Sequence, residues 1–189
     1  MTILNDKEII FYARHEGMLS PFVETLVSEV EGRKVISYGL SSMGYDLRCA
    51  PEFKTLNTRL CRTRILDPTN LDEFEFNSVY DSRCIIPANS MILTRSVEYI
   101  KMPRDVTGIC VGKSTYARVG VIANVTPLEA EWEGYLVIEL SNSMPVPVLI
   151  HANQGICQIL FFRGNPPKTS YADRKGKYQY QKDIVLSKV

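Results

Sequence analysis

A hydroxyl and a guanidinium four residues apart form the first pair of side chains in this sequence that can act together. Ser114 and Arg118, in the segment GKSTYAR, would share one face of a helix and meet a common ligand there. Lys113 and Thr115 flank the hydroxyl, and Gly112 permits close backbone approach. The exposed N–H groups at a helix start favour a phosphate, although the G-x-x-x-x-G-K-S/T loop is absent. On these residues alone, a surface turn with solvated cations is the favoured alternative.

A single carboxylate interrupts the apolar strand YLVIEL. Alternation along a strand puts Ile138 and Leu140 on one face, and Val137 and Glu139 on the other. Taken alone, Glu139 is best explained as a solvent-facing residue of an amphipathic strand. The alternative is a positioned general base. In a partly dry pocket the pKa of this carboxyl would rise, whereas a nearby arginine would keep it ionised.

The elements that must hold these side chains are mainly short strands. Runs rich in Val, Ile, Tyr and Leu alternate with Pro, Asn, Asp and Gly, in KVISYG, YDLRCA, CIIPANSMIL, GICVG, GVIANV, YLVIEL, VPVLIH and CQILFF. Short strands at such spacing predict a sandwich or barrel rather than alternating strands and helices. Residues 5–16 predict an amphipathic helix, capped by Asn5 with Glu8 and stopped by Gly17.

Helix is predicted at two further places, a turn near Phe22 to Val30 and the segment Lys113 to Val119. The stretch 166–189 is polar and rich in Lys and Tyr, which predicts an arm. A length of 189 residues fits one domain, or one domain with an arm. We therefore predict a single mainly β domain over residues 1–189, in which residues 166–189 form a C-terminal arm.

Charge and composition argue against several kinds of partner. The 22 Lys and Arg against 21 Asp and Glu give a net charge of +1, which supplies no field for duplex nucleic acid or an anionic membrane. The N-terminus carries charges throughout, so no signal peptide is expected, and no apolar run is long enough to span a bilayer. The 5 cysteines are widely spaced and never form a C-x-x-C pair, which indicates reduced thiols in a cytoplasmic protein.

Four ordered segments resemble the dCTP deaminase family. They are SYGLSSMGYDLRCA at 37–50, GKSTYARVGVIANVTPLEAEWEGYLVIELSN at 112–142, QGICQILFF at 154–162 and SYADRKGKYQYQ at 170–181. They cover nearly the whole chain in the family's order. The resemblance therefore favours a phosphate-binding loop over a solvated surface turn, and a general base over a solvent-facing Glu139. The resemblance implies a distorted β-barrel or jelly-roll of the dUTPase-like type with few short helices, a homotrimer, and active sites at subunit interfaces. It also implies hydrolytic deamination of dCTP to dUTP, which supplies pyrimidine deoxynucleotide for dTTP synthesis.

By position, the resemblance assigns catalysis to Glu139 as general base, with Ser114 and Arg118 as its partners. The phosphate-binding loop matches Gly112, Lys113, Ser114, Thr115, Tyr116 and Ala117. Further nucleotide contacts match Val137, Ile138, Gln158, Tyr171, Lys177 and Gln181. The backbone carbonyl of Pro127 would accept a hydrogen bond from the cytosine amino group, which favours cytosine over uracil. The arm would close over a triphosphate bridged by Mg²⁺, and dTTP is a candidate feedback inhibitor.

The implied reaction requires water to add to C4 of cytosine and the amino group to leave as ammonia. Zinc deaminases activate that water on the metal, and their H-x-E and P-C-x-x-C signature is missing here. We therefore expect a zinc-independent reaction in which Glu139 accepts the proton and passes it to N3 and then to the leaving amine. Ser114 would hold the water or the developing oxygen, and Arg118 would keep Glu139 charged.

Several assignments stay open at this stage. The C-terminal KDIVLSKV departs from the family pattern, which leaves closure of the arm and feedback by dTTP undecided. Glu129 and Glu131 are candidates for contacting the sugar 3′-hydroxyl, or they face solvent. Residues 44–46 are interpreted as supporting residues and Trp132 as a packing aromatic. The alternative functions are a deoxyuridine triphosphatase, a bifunctional enzyme that continues to dUMP, and a nucleotide-sensing module without catalysis.

Overall fold

The computed structural model describes residues 1–57, 65–71 and 73–188, and strands dominate that part of the chain. Its helices are α1 (Asp6–Glu16) and α2 (Ser114–Ala117), with a 3-10 turn at Glu73–Glu75. Its strands are β1 (Thr2–Ile3), β2 (Leu19–Ser20), β3 (Val27–Val30), β4 (Arg33–Ser41), β5 (Gly44–Leu56), β6 (Phe76–Tyr80), β7 (Arg83–Ile86), β8 (Met91–Lys101), β9 (Val106–Gly112), β10 (Val121–Asn124), β11 (Glu133–Asn142), β12 (Val148–His151) and β13 (Gly155–Arg163). The predicted mainly β fold class is confirmed.

Within the described residues, 11 strands form one curled antiparallel sheet. Its main path runs β1-β13-β5-β8-β11-β10. From this path β9 pairs with β13, β4 and β6 pair with β5, β2 pairs with β8, and β3 pairs with β4. A separate two-stranded ribbon joins β7 to β12. The order places β11 between β8 and β10, so the strand that carries Glu139 is held from both sides.

Alternation along the strands builds the core. Ile138 and Leu140 of β11 and Phe161 of β13 are fully buried, and Phe53 of β5 is 1% exposed. Every second residue of β11 is only partly buried, and Glu139 is one of these, as its strand position predicted. Burying one large apolar side chain contributes roughly 1.5–3 kcal/mol. This burial fixes β11 and with it the direction in which the Glu139 carboxylate points.

Helix α1 begins and ends where the sequence predicts. The Asn5 side chain accepts a hydrogen bond from the N–H of Glu8, and the Glu8 carboxylate accepts one from the N–H of Asn5, both at 3.1 Å. Gly17 ends the helix in the left-handed conformation, at φ 69°. Glu8 also pairs with Arg163 at the end of β13, which fastens the helix to the sheet. Neither α1 nor α2 combines the length and the apolar composition of a membrane-spanning helix.

Three local predictions differ from the structure. No helical turn forms in Phe22 to Val30, because β3 pairs with β4 there and strand pairing overrides the local preference. The helix predicted over Lys113 to Val119 shortens to the four residues of α2. The apolar run 84–93 divides into β7 and β8 around Pro87, which lacks the N–H that a continuous ladder needs.

The cysteines within the described residues are not bridged. Cys49, Cys84, Cys110 and Cys157 are free in the structure, and the reduced state of these thiols stays a prediction. Cys61 lies outside the described residues. The sulfurs of Cys110 and Cys157 approach to 3.3 Å as thiols, on the neighbouring strands β9 and β13.

Candidate active site

A cavity of about 760 Å³ lies beside β11. Six of the residues predicted to act on a nucleotide line it together, namely Pro127, Val137, Glu139, Tyr171, Lys177 and Gln181. These residues come from three separate parts of the chain, the loop before β11, β11 itself and the C-terminal arm. The remaining wall is largely apolar, from Leu66, Pro68, Leu71, Phe76, Met91, Leu93, Leu128, Trp132 and Leu136. The fold therefore brings two carboxylates, Glu129 and Glu139, and several polar arm residues into an apolar surrounding.

Glu139 is positioned by its register in the sheet. It lies opposite Asn124 of β10 and Leu93 of β8, while its neighbour Ile138 points into the core. Burial raises the pKa of the Glu139 carboxyl above its ordinary value, and its own backbone N–H partly opposes that rise. Among the described residues, no cation forms an ion pair with this carboxylate. The side chain is therefore a partly dry carboxylate with an enhanced affinity for protons.

The arm is fastened to the strand that carries Glu139. The side-chain amide of Gln181 donates to the carbonyl of Tyr135 at 2.7 Å, and the Tyr135 N–H donates to the carbonyl of Gln181 at 3.0 Å. The indole N–H of Trp132 donates to the carbonyl of Tyr178 at 3.2 Å, and the Tyr178 N–H donates to the hydroxyl of Tyr171 at 3.0 Å. These bonds hold the arm along the rim of the cavity, where its predicted nucleotide contacts face inward.

The C-terminal segment 184–188 completes the wall of the cavity. Ile184 and Leu186 are buried against Leu93, with Val137 packed beside them. The ammonium of Lys177 donates to the carbonyl of Lys188, whose own N–H donates to the hydroxyl of Tyr178 at 3.1 Å. The divergent C-terminus thus packs into the site through apolar side chains and holds Lys177, which is predicted to contact the nucleotide.

The acidic residues of the loop 127–132 are held in ion pairs. Glu129 lines the cavity and pairs with Arg174 of the arm. Glu131 pairs with Arg104, which also binds Asp173 at 2.9 Å. These pairs join the loop to the arm on an exposed surface. Among the described residues, no group of three or more His, Cys, Asp or Glu side chains is arranged to hold a metal ion.

Ser114 and Arg118 lie together, but away from this cavity. A guanidinium N–H of Arg118 donates to the backbone carbonyl of Ser114 at 3.0 Å, as their predicted spacing on one helical face requires. Both side chains are exposed and neither lines the cavity around Glu139. A single chain therefore brings together two of the three predicted catalytic residues and leaves the third apart from them.

The other predicted loop residues are placed in different ways. Tyr116 is buried, and its hydroxyl accepts a hydrogen bond from the N–H of His151 at 3.0 Å. The N–H groups of Tyr116 and Ala117 both donate to the carbonyl of Lys113. The ammonium of Lys113 lies 2.8 Å from the carboxylate of Asp46. A Cβ on Gly112 would make only ordinary contacts, at 3.9 Å or more, so packing within the chain does not require glycine there.

Two predicted contacts do not reach the cavity through their side chains. The side chain of Ile138 is fully buried in the core on the face opposite Glu139, so only its backbone can contact a ligand. The Gln158 amide donates to the hydroxyl of Ser41 at 3.0 Å, on a different part of the sheet. Residues 44–46 act as supporting residues, since Tyr45 is fully buried and a Cβ on Gly44 would lie 2.7 Å from the backbone oxygen of Ile159.

Sequence reasoning missed most of the apolar wall. Leu93, Met91 and Phe76 come from β8 and β6, and no local motif connects them to Glu139. It also missed the segment 185–187, which the departure from the family pattern set aside. Trp132 packs in the core, as predicted, and lines the cavity as well. The register of β11 with its neighbours would identify these wall residues. That register can be assigned only when the strand pairing is known.

An exposed apolar surface surrounds Ser114 and Arg118 along the chain. Its members belong to β9, the turn after α2, and β10, and their exposed fractions run from 39% to 56%: Ile109, Val111, Val119 and Ile122. Contiguous exposed apolar side chains are a feature of surfaces that make contacts with other molecules. We refer to these four residues as the β9–β10 apolar surface.

Known proteins resemble this chain over its full length. A family model described as dCTP deaminase-like matches residues 3–164. The chain is 49% identical to the dCTP deaminase of Polaromonas sp. over 189 residues, and 53% identical to that of Acidobacterium capsulatum over 190 residues, with 100% of each chain covered in both cases. The crystal structure of 2'-deoxycytidine 5'-triphosphate deaminase from Agrobacterium tumefaciens has a TM-score of 0.58 at 16% identity, over 86% of this chain and 48% of that one. That last likeness concerns the fold, and the chain spans about half the length of the Agrobacterium protein.

Proposed function

Because this chain belongs to the dCTP deaminase family, we propose that it hydrolyses dCTP to dUTP and ammonia. One observation supports this most directly, the position of Glu139 in a largely apolar cavity. The cavity also presents Tyr171, Lys177 and Gln181, which supply the polar contacts that a nucleotide needs. Relatives named dCTP deaminase match the chain from end to end, so no part of the site falls outside the likeness.

In the proposed reaction Glu139 acts as the general base. Its carboxylate accepts a proton from water, and the oxygen of that water adds to C4 of cytosine. Glu139 then gives this proton to N3, takes the remaining proton from the C4 hydroxyl and delivers it to the amino group. The C4–N bond breaks, ammonia leaves, and C4 keeps the oxygen as the carbonyl of uracil. A raised pKa suits this role because the group must both take and return a proton.

We propose that Ser114 and Arg118 reach the cavity of a neighbouring copy in a homotrimer. They are exposed, they lie apart from Glu139 within one chain, and the β9–β10 apolar surface flanks them. Ser114 would hold the water or the developing oxygen, and Arg118 would keep Glu139 ionised. The carbonyl of Pro127, which lines the cavity, would accept from the cytosine amino group.

The triphosphate is assigned to the loop 112–117 together with the arm. Gly112 fits this assignment, because packing within the chain does not require a glycine there: a Cβ would lie 3.9 Å from the nearest atom, the backbone N of Ala123. On the arm side, Lys177 would exchange the Lys188 carbonyl for a phosphate oxygen. Mg²⁺ would enter as part of the substrate, held by phosphate oxygens. Mg²⁺ prefers oxygen ligands such as carboxylates. Of the two carboxylates that line the cavity, Glu129 is paired with Arg174 and Glu139 is the proposed base, which fits a metal held by the nucleotide.

Product analysis tests the proposed function. Incubation with dCTP and Mg²⁺, followed by separation of all nucleotides, is expected to give dUTP and an equal amount of ammonia. Formation of dUMP with pyrophosphate would favour the bifunctional alternative, and dCTP binding without ammonia would favour a sensor. We expect activity to survive a zinc-selective chelator in excess Mg²⁺. Loss of activity that zinc alone restores would refute the metal-free base.

Mixed assemblies test the shared site. Ser114→Ala and Glu139→Gln are each expected to be nearly inactive alone. When the two variants are unfolded, mixed equally and refolded, about one quarter of the sites should combine an intact Ser114 with an intact Glu139 from different subunits. Activity near that fraction supports a site built by two chains. A mixture as inactive as its components contradicts it.

A further proposal from the same site concerns dTTP. dTTP has the same sugar and triphosphate as dCTP, so we propose that it competes for the cavity and inhibits the enzyme. A rise in the KM for dCTP with added dTTP would reveal this competition.

We also propose a cytoplasmic location, where the free thiols at Cys49, Cys84, Cys110 and Cys157 stay reduced. Cell fractionation tests that placement.

A further inference from the structure

The side chain of Lys113 is directed into its own chain. Its ammonium lies 2.8 Å from the carboxylate of Asp46, and the two side chains are 11% and 7% exposed. An unpaired charge at such a depth is strongly unfavourable, whereas a paired one is tolerated. The positive charge of Lys113, the second residue of the loop 112–117, is therefore balanced by Asp46 within the chain before any ligand binds.

This ion pair joins strands that do not pair with each other. Asp46 lies in β5, and Lys113 follows the last residue of β9, while β13 lies between these strands and pairs with both. Gly155 leaves room for the crossing. A Cβ there would lie 3.2 Å from Cε of Lys113 and 1.9 Å from the carbonyl oxygen of Ser37. The path of the lysine side chain is thus built into the sheet.

Helix α2 depends on such anchors because four residues are too few to hold a helix. Nucleating a helix is unfavourable, and only longer helices recover that cost. Lys113 stands at the N-cap and makes no capping hydrogen bond with its side chain. Two side chains fasten the segment instead, Lys113 through Asp46 and the buried Tyr116 through the N–H of His151. Ser114 lies between these two anchors.

We propose that the Asp46–Lys113 pair positions the loop 112–117, and that Lys113 is not a ligand of the triphosphate. The proposal rests on the proposed function, since it takes this loop as the part that receives the triphosphate. The loop then binds through hydroxyl and backbone groups, and Asp46 sets their place through Lys113. Asp46 is a positioning residue, because it acts on the nucleotide only through another side chain.

A direct contact between Lys113 and a phosphate would have the opposite signature. Asp46 would then compete with the nucleotide for the ammonium. Removing the charge of Asp46 would release Lys113 and tighten nucleotide binding. If the pair positions the loop, the same change unfastens the loop and weakens binding. The direction of the effect of Asp46→Asn therefore separates the two arrangements.

The test is a double-mutant cycle on dCTP affinity, measured by calorimetry in the Glu139→Gln background so that no turnover intervenes. We expect Asp46→Asn and Lys113→Met each to raise the Kd for dCTP about tenfold, with the Kd for deoxycytidine unchanged. The double variant Asp46→Leu/Lys113→Met replaces the pair by packed apolar groups and should bind within about threefold of the parent. Lys54→Met removes a lysine that is paired with Glu73 elsewhere, and it serves as the matched control.

Two results would overturn the proposal. One is unchanged or tighter dCTP binding in Asp46→Asn, and the other is a folded double variant that binds as weakly as Lys113→Met. If a single variant fails to fold, the double variant decides, since circular dichroism reports its folding independently. Ammonia release by the wild-type chain tests the proposed function separately. A chain that follows the binding cycle but releases no ammonia would refute deamination and leave the positioning role in place.

Discussion

Two carboxylates on neighbouring strands of the sheet face the same physical difficulty and meet it differently. Glu98 of β8 is fully buried and accepts hydrogen bonds from the N–H and the Nε of Arg48, at 3.0 and 2.7 Å. Glu139 of β11 is partly buried and has no ion-pair partner among the described residues. Burial is the largest cause that raises the pKa of both groups, but Arg48 opposes the rise at Glu98.

The difference separates a carboxylate that holds the fold from one that we propose acts in catalysis. At Glu98 both carboxylate oxygens accept hydrogen bonds from Arg48, so this buried group is held in place within the chain. At Glu139 the chain leaves the charge exposed to a cavity and unpaired, an arrangement that stabilises nothing in the chain itself. Perturbed, unpaired titratable groups in clefts are typical of functional sites. Substitutions at the two carboxylates and at Arg118 test this contrast.

Replacing the cavity carboxylate should remove activity and leave binding in place. We expect Glu139→Gln to lower kcat by at least about 10²–10⁴-fold, because the base is lost while the shape of the side chain is kept. The Kd for dCTP should change only a few-fold. Ammonia release and calorimetry measure the two quantities. A variant with wild-type kcat would remove Glu139 from the role of base.

The same change at the paired carboxylate should act on stability. Glu98→Gln leaves the Arg48 charge without its partner in the interior, which we expect to lower the free energy of unfolding by about 3–5 kcal/mol. Urea unfolding at fixed protein concentration measures it. At a temperature where the variant is folded, kcat should stay near wild type. A large loss of kcat in the folded variant would show that the two carboxylates do not divide their roles as described.

Arg118 should move the acid limb of the pH–rate profile. Burial raises the pKa of Glu139, and the base is active only when ionised, so kcat/KM falls as pH drops through that pKa. In the proposed trimer the guanidinium of Arg118 opposes the rise. We therefore expect Arg118→Gln to shift the acid limb to higher pH. An acid limb that stays in place would place Arg118 away from Glu139.

The smallest effect concerns stability at different pH. Because burial raises the pKa of Glu139 in the folded state, its ionised form destabilises the fold. That penalty is absent below the unfolded pKa of about 4.3 and complete above the folded pKa. In an Arg118→Gln background, Glu139→Gln should therefore raise the Tm at pH 8, and the gain should shrink toward pH 4. Equal Tm values at every pH would show that the carboxylate is fully solvated.

Much of the fold could be predicted from periodicity and punctuation. The capping box at Asn5 and the alternation in YLVIEL are local patterns, and both predicted the structure correctly. The turn expected in Phe22 to Val30 failed because the pairing of β3 with β4 depends on residues that follow it. The helix at 113–119 was predicted too long because the chain tightens after Ala117, where the N–H groups of Val119 and Gly120 donate to the carbonyls three residues earlier.

The site was less accessible from sequence for a geometric reason. The direction of Glu139 followed from alternation, but the pocket around it needs the register of β8 with β11 and the return of the C-terminus. The separation of Ser114 from Glu139 also has no local signal. A motif records which residues are present, while the distance between two motifs depends on the folding of the chain, and here also on its proposed assembly.

The return of the C-terminal segment to the cavity links the docking of that segment to the binding of a ligand. Val185, Leu186 and Ser187 are part of the cavity wall, so a molecule that fills the cavity also favours the docked segment, by mass action. Lys182, exposed just before that segment, is a site for trypsin. The rate of digestion there would fall as the cavity fills, which would give a proteolytic measure of occupancy that needs neither turnover nor a labelled nucleotide.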